Sequence, residues 1–363
     1  MRIVIATGGT GGHIYPALSL AKAIKEEDPS AEFLFIGSTN RMEATEIPNA
    51  GYKYQGIDVI GMNGSILSKI KAFYLLKKAE KKCKTILETA KPDIVIGFGN
   101  YISVPVCWAA KSLGIPVMLH EQNSYAGKAN KMLAKSADAV VGCYEENLSQ
   151  FPSQKTRILG NPRASEAAKM IQDKTILKKY GLVDNLPLVV IVMGSLGSES
   201  VNKVLKQASK RMDGKNYQAL VVTGKKGYDE FIESCKSTGH VHIVPYIEGI
   251  EVMCLASLVV VRGGATTSAE ITALGLPSII IPSPYVPNNH QVMNALALQN
   301  KNAAIMIEEK DLTAENLVEK IDEILSNEAL QKEMSLHAKE LGKPNASHDM
   351  MEWIKDLVGD RNE

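Results

Sequence analysis

The stretch "ATGGTGGHIYPAL", residues 6–18, follows Arg2-Ile3-Val4-Ile5, a short run rich in β-branched residues, and leads into a helix whose first turn holds Tyr15 and Pro16. It reads as strand, glycine loop, helix. Glycine is used where a Cβ would block a neighbour or forbid the backbone angle, so Gly8, Gly9, Gly11 and Gly12 predict a loop built around a guest. The backbone N–H groups and helix N-terminus of such a loop offer partial positive charge to an anion or a sugar oxygen. His13 stands at its end.

Two familiar loops do not fit. A dinucleotide fingerprint needs a third glycine and an acidic residue closing the second strand, but His13-Ile14 follow Gly12 and that strand ends in Gly37, which excludes a nicotinamide dehydrogenase. A phosphate-binding P-loop needs Lys and then Ser or Thr after its last glycine, and neither is there.

The same pattern recurs outward along the chain. Runs at 3–6, 33–37, 94–97, 117–120 and 139–142 read as buried strands with helices between them, and the pattern restarts at 188–193, 218–223, 241–244, 258–261 and 278–282. The fold class is therefore α/β, with two doubly wound Rossmann-like domains expected to face each other across a cleft. Ile158-Leu159-Gly160-Asn161-Pro162-Arg163 favours a turn and is the expected hinge. Helical segments follow at 313–325 and 329–341, and Gly342-Lys343-Pro344 precedes a last amphipathic helix at 347–357 that fits either half.

With 363 residues the chain is long enough for two domains of ordinary size, and 45% hydrophobic against 22% charged residues describes a well-cored protein. A net charge of +1 gives no reason to expect nucleic acid as a partner. The five cysteines are widely spaced with no C-x-x-C pair, so neither a disulfide framework nor a zinc site is implied and a reducing cytoplasm fits. The chain enters a strand at once, which argues against a signal peptide, and no apolar stretch approaches the roughly 18 residues of a spanning helix.

Other strand ends carry polar groups suited to a nucleotide sugar. Gly194-Ser195-Leu196-Gly197 opens the second half as the first loop opens the first. Arg262-Gly263-Gly264-Ala265-Thr266 begins a helix in which Glu270 can accept from both hydroxyls of a ribose. Gln291 and Asn294, at i and i+3 in an Asn-rich turn and helix, are amides suited to sugar hydroxyls. Gly97-Phe98-Gly99-Asn100 and His120-Glu121-Gln122-Asn123 follow strands of the first half. Ligands of open α/β sheets bind beyond the carboxyl ends of strands, where all six segments lie. Each has a bland alternative as a capped turn or a solvated first-turn charge.

Taken in order, Gly8-Gly9-Thr10-Gly11-Gly12-His13, Gly97-Phe98-Gly99, His120-Glu121-Gln122-Asn123, Gly160-Asn161-Pro162, the 263–270 segment and His290-Gln291 with Asn294 resemble the motifs of the MurG family of bacterial peptidoglycan N-acetylglucosaminyltransferases over nearly the whole chain. The resemblance implies a GT-B fold: residues 1–160 for acceptor and membrane, 161–340 for UDP-N-acetylglucosamine, and a helix at 341–363. It implies inverting transfer of N-acetylglucosamine to the C4 hydroxyl of the muramoyl sugar of lipid I, giving lipid II at the cytoplasmic face of the membrane. The donor would meet Arg163 and Ser195 at the diphosphate, backbone at Ile247 near uracil, Ala265 and Thr266 at sugar and phosphate, Glu270 on ribose, and Gln291 and Asn294 on sugar hydroxyls. Thr10, Gly11 and Gly12 would take the acceptor diphosphate, with Asn123 and Asn130 nearby. The chain departs from the family at Asn100, where a glycine is common, and at Arg163, which follows Pro162 directly.

Displacement at the anomeric carbon needs a base, and an imidazole with an ordinary pKa near 6.5 suits His13, with Glu121 in reserve. No Asp-x-Asp pair ends a strand at either glycine loop, so no metal or other cofactor is expected. Residues 65–84 set Ile66, Leu67, Ile70, Phe73, Leu75 and Leu76 among seven lysines (Lys69, Lys71, Lys77, Lys78, Lys81, Lys82 and Lys84), an apolar patch suited to anionic lipid. A UDP-N-acetylglucosamine epimerase or a non-catalytic nucleotide-sugar-binding subunit remains compatible with the same donor motifs.

Overall fold

The computed structural model describes residues 1–61, 65–194, 197–247 and 249–359, without the side chains of residues 66–69 and 287. Among them the chain forms two compact units, Met1–Ser165 with Asn345–Glu363, and Glu166–Pro344. The division falls inside the helix Pro162–Ala168, a few residues past the expected 160/161 boundary. The expected turn there shrinks to residues 159–161, because Ile158 ends a strand and Pro162 supplies the fixed φ that suits a helix start.

The first unit is built on seven parallel strands: β1 (Arg2–Ala6), β2 (Glu32–Ser38), β3 (Lys53–Ile57), β4 (Ile94–Gly97), β5 (Val117–Glu121), β6 (Ala139–Gly142) and β7 (Thr156–Ile158), in the order β3-β2-β1-β4-β5-β6-β7. Ile3 and Ile5 bury on one face with Ile14, Leu20 and Ile24 of the helix Gly11–Glu27, and Val4 and Ala6 bury on the other with Leu76, Cys83 and Val104. Both faces are covered, so alternate residues are equally apolar and β1 reads as a continuous hydrophobic run.

Six parallel strands build the second unit: β8 (Leu188–Val192), β9 (Gln218–Val222), β10 (Val241–Val244), β11 (Leu258–Val261), β12 (Ser278–Ile280) and β13 (Ala304–Met306), in the order β10-β9-β8-β11-β12-β13. Strands β3, β7 and β13 were not expected from the sequence. All three are sheet edges, where one side is unpaired and the residues need not be uniformly apolar: β3 is Lys-Tyr-Gln-Gly-Ile and β7 Thr-Arg-Ile.

The last helix, Ala346–Gly359, belongs to the first unit, which settles the half on which it packs. Met350, Met351, Trp353 and Ile354 join the cluster of Ile3 and Ile14, the Arg157 guanidinium lies 4.3 Å from the Trp353 ring centre, and the Ser347 N–H donates to Ser165 Oγ at 2.9 Å.

Candidate functional site

In each sheet the strand order reverses once, between β1 and β4 in the first unit and between β8 and β11 in the second. A crevice opens at such a switch point because the flanking loops leave toward opposite faces. The glycine loops after β1 and β8 stand at these points. So do Phe98-Gly99-Asn100 after β4 and Arg262-Gly263-Gly264 after β11.

The first loop answers the question its glycines raise, and for three of four the guest is internal. A Cβ on Gly8 would stand 2.3 Å from Glu43 Oε1, one on Gly9 2.1 Å from Asn100 Nδ2, and one on Gly11 2.8 Å from the Tyr15 ring. At Gly12 the nearest atom is Thr10 Oγ1 at 3.7 Å, so this glycine alone faces open space. Glu43, wholly buried, accepts from Gly9 N–H at 3.0 Å and from Ser38 N–H and O–H at 3.0 and 2.5 Å. Asn100 takes φ +65°, the left-handed conformation a glycine would supply, and donates through Nδ2 to the Gly8 carbonyl at 3.1 Å. The departure from glycine at this position thus staples the two loops together.

His13 is half-buried in the first turn of the helix Gly11–Glu27. Thr7 Oγ1 donates to its carbonyl at 2.8 Å, and Nδ1 lies 3.1 Å from Thr10 Oγ1. A Cβ on Gly99 would touch the His13 ring and Asn130 Nδ2, each at 3.4 Å, so these two expected residues flank Gly99. Thr10 and Gly12 are exposed beside them.

Glu121, the reserve base, is 2% exposed and accepts from Asn123 N and Nδ2, Gly127 N and Asn130 Nδ2 at 2.9–3.3 Å. Burial raises its carboxyl above the ordinary range, opposed by these donors. A carboxylate so enclosed anchors the 123–130 segment. Asn130 also donates to the His120 carbonyl at 3.0 Å, and its Oδ1 is buried with no partner among the described residues. His120 is buried, stacked on Phe98 at 4.9 Å, and held neutral: burial pushes its pKa down to about 4. Since the Gly160 carbonyl at 3.1 Å can only accept, Nε2 carries the proton and Nδ1 accepts from Gln122 at 2.9 Å.

In the second unit Gly263 is required by packing, since a Cβ there would stand 2.3 Å from the Gln291 carbonyl oxygen. The helix Ala265–Leu274 starts at this contact, with Thr266 Oγ1 and Ser268 Oγ buried and unpartnered among the described residues. Glu270 is only 6% exposed, which removes the reading as a solvated first-turn charge. Asn294 is fully buried and donates through Nδ2 to the Gly263 carbonyl at 3.0 Å, which ties the helix it stands on to the loop after β11. Gln291 accepts from Ser283 N–H through Oε1 at 2.8 Å. Asn288 and Asn289 take φ +56° and +50°, so the Asn-rich stretch is in part a turn. Ile247 is buried beside exposed Tyr246. Ser195 lies outside the described residues. Arg163 falls in the first unit, where its N–H donates to Asn161 Oδ1 at 3.0 Å.

Sequence reasoning missed a polar network at four adjacent strand ends. Arg262 pairs with Glu309 at 2.6 Å and donates to Ser198 Oγ at 2.7 Å and the Ile281 carbonyl at 3.1 Å, while Ser200 Oγ donates to Glu309 at 2.6 Å. These contacts tie the loop after β8 to those after β11, β12 and β13. Arg262 stood beside the quoted glycines, but its partner is remote in sequence.

Residues 3–141 match the glycosyltransferase family 28 N-terminal domain, and residues 188–350 match the family's C-terminal domain. The chain belongs to glycosyltransferase family 28. A family relative in Bacillus cytotoxicus, named UDP-N-acetylglucosamine–N-acetylmuramyl-(pentapeptide) pyrophosphoryl-undecaprenol N-acetylglucosamine transferase, is 44% identical and covers 99% of this chain and 100% of its own. A transferase of the same name from Listeria monocytogenes is 41% identical with the same coverage. The structure of Acinetobacter baumannii MurG matches with a TM-score of 0.79 at 26% identity, over 98% of this chain and 99% of that one. A UDP-GlcNAc 2-epimerase from Neisseria meningitidis, at a TM-score of 0.68 and 14% identity over 98% of this chain and all of that one, shares the fold alone. The architecture is thus that of a GT-B glycosyltransferase: two Rossmann-like parallel-sheet domains in one chain.

Proposed function

We propose that the chain transfers N-acetylglucosamine from UDP-N-acetylglucosamine to the C4 hydroxyl of the muramoyl sugar in lipid I, an undecaprenyl diphosphate-linked acceptor, forming lipid II for peptidoglycan synthesis. The observation that carries this reading is the pair of glycine loops at two switch points, in a chain that runs the full length of relatives bearing that name. The second unit takes the donor. Its diphosphate rests on the helix N-terminus at Gly264 and Ala265 with Thr266 and Ser195, uracil meets backbone at Ile247, Glu270 accepts from the ribose, and Gln291 turns its NH2 to the sugar. Thr10, Gly11 and Gly12 take the acceptor diphosphate, with Asn123 and Asn130 behind them, and Arg163 serves the donor diphosphate.

In the reaction the acceptor O4 attacks C1 from the face opposite UDP and the C1–O bond to the β-phosphate breaks, so the anomeric centre inverts. The hydroxyl proton passes to His13 Nε2, and UDP departs with growing charge on its bridging oxygen. Donors fixed before the reaction stabilise that charge selectively.

Transfer of radiolabelled sugar to a short-chain lipid I analogue tests the reading. Wild type transfers, and Glu270→Ala raises the donor KM by about 10- to 100-fold, the worth of a charge-assisted hydrogen bond, with a smaller effect on kcat. Wild type that binds UDP-N-acetylglucosamine and transfers nothing overturns it.

The acceptor's lipid places the enzyme at the cytoplasmic membrane surface. No helix among the described residues is long and apolar enough to cross a membrane. The helix Ile66–Ala90 instead exposes Ile70, Phe73 and Tyr74, at 61%, 49% and 68%, among Lys71, Lys77, Lys78 and Lys81. Leu76, expected in this patch, is buried in the core, since it lies on the sheet side with Ala72 and Ala79; Ile66, Leu67 and Lys69 lie outside the described side chains. Replacing Phe73 and Tyr74 with serine and these lysines with glutamine should abolish co-sedimentation with anionic vesicles, each lysine contributing about 1 kcal/mol at the surface. Undiminished binding would remove the patch from the account.

A further inference from the structure

The turn after β2 sends two charged side chains toward the first glycine loop, and the chain uses them differently. Glu43 is wholly buried and its carboxylate is consumed by Gly9 and Ser38. It fixes the loop and leaves Gly9 N–H no capacity for a ligand. Arg41, two residues earlier, is exposed. Its Nη1 lies 3.9 Å from the position a Gly9 Cβ would take, and its Cζ lies 5.9 Å from the centre of the Tyr101 ring. Tyr101 belongs to the first turn of the helix Asn100–Ser112, directly after β4. The guanidinium therefore sits over the loops that follow β1 and β4, at the switch point itself.

No carboxylate among the described residues pairs with Arg41, and the nearest acid in sequence, Glu43, is already saturated. A cation held against an aromatic ring beside a helix N-terminus, without an internal counter-charge, is arranged for an anion from outside. The planar fork of an arginine matches two phosphate oxygens at once and adds a full positive charge to the partial charge of the helix end. We propose that Arg41 is a ligand of the acceptor diphosphate, completing from the turn after β2 the anion site that Thr10, Gly11 and Gly12 open. This rests on the transferase reading above, and it assigns the loop's charge selectivity to a side chain outside every glycine motif.

Arg41 is exposed and unpaired, so its removal should leave folding intact. Arg41→Gln should raise the KM for a short-chain lipid I analogue by about 10- to 100-fold, with Arg41→Lys intermediate and the KM for UDP-N-acetylglucosamine within about twofold of wild type. The melting temperature should not move. An acceptor KM equal to wild type, or an equal rise in both KM values, overturns the assignment. Calorimetric binding of farnesyl diphosphate provides an arm that needs no turnover: weakened binding to Arg41→Gln supports the site and unchanged binding overturns it. A wild type that transfers nothing yet loses farnesyl diphosphate affinity on Arg41→Gln overturns the transferase reading and leaves the anion site standing.

Discussion

His13→Ala should lower kcat for sugar transfer by about 10²- to 10⁴-fold, the usual contribution of a positioned general base, while leaving the KM for UDP-N-acetylglucosamine close to wild type. The local geometry sets this expectation. Thr7 holds the His13 carbonyl and Thr10 Oγ1 stands at Nδ1, so Nδ1–H can donate to the threonine and place the ring's lone pair on Nε2. Gly99, with no side chain, keeps the approach to that ring open. Radiolabel turnover at saturating substrates is the measurement, with kcat and the donor KM compared between wild type and the variant. A variant turning over at the wild-type rate would move proton transfer to another group.

Glu121→Ala should cost about 4 kcal/mol of stability, read as a lowered urea midpoint, because it removes at once the acceptor of the N–H groups of Asn123, Gly127 and Asn130. The neighbouring His120 adds an acid dependence of definite sign. Its folded pKa of about 4 lies below the ordinary 6.5, so the unfolded chain binds the proton first as pH falls. Its contribution is fully present above pH 6.5 and is lost on descent to about pH 4, a total of roughly 3 kcal/mol at 1.36 kcal/mol per unit. A wild-type midpoint that stays flat from pH 6.5 to 4 would contradict the neutral, buried assignment.

The doubly wound pair of sheets was legible because interior parallel strands are apolar on both faces, as in Ile3-Val4-Ile5 and Leu188-Val189-Val190. Edge strands such as β3 lack that pattern and were missed. The glycine loops were legible as loops and misleading as to cause. Gly8 makes room for Glu43 and Gly9 for Asn100, contacts set by tertiary packing that no local pattern announces. Burial was equally illegible: Asn294 and Glu121 are polar residue types the chemistry wants, and the sequence does not show that Asn294 donates to the Gly263 carbonyl or that Glu121 accepts from Gly127 and Asn130. The Arg262–Glu309 pair was invisible for the same reason, since an ion pair between two strand ends leaves no periodic trace.

The return of the helix Ala346–Gly359 to the first unit makes the whole of residues 166–344 an insertion within that unit. A ribosome delivers the cluster of Ile3, Ile14 and Leu20 long before Met350 and Trp353 emerge to cover it. The amino-terminal sheet must then wait, with one apolar face incomplete, while the entire inserted unit is synthesised and folds. Closing so long a loop slows the final docking far more than it weakens it, because the entropic cost grows only logarithmically with length. Chains that terminate early therefore carry a finished second unit attached to a first unit whose apolar face is still open, which exposes them to degradation.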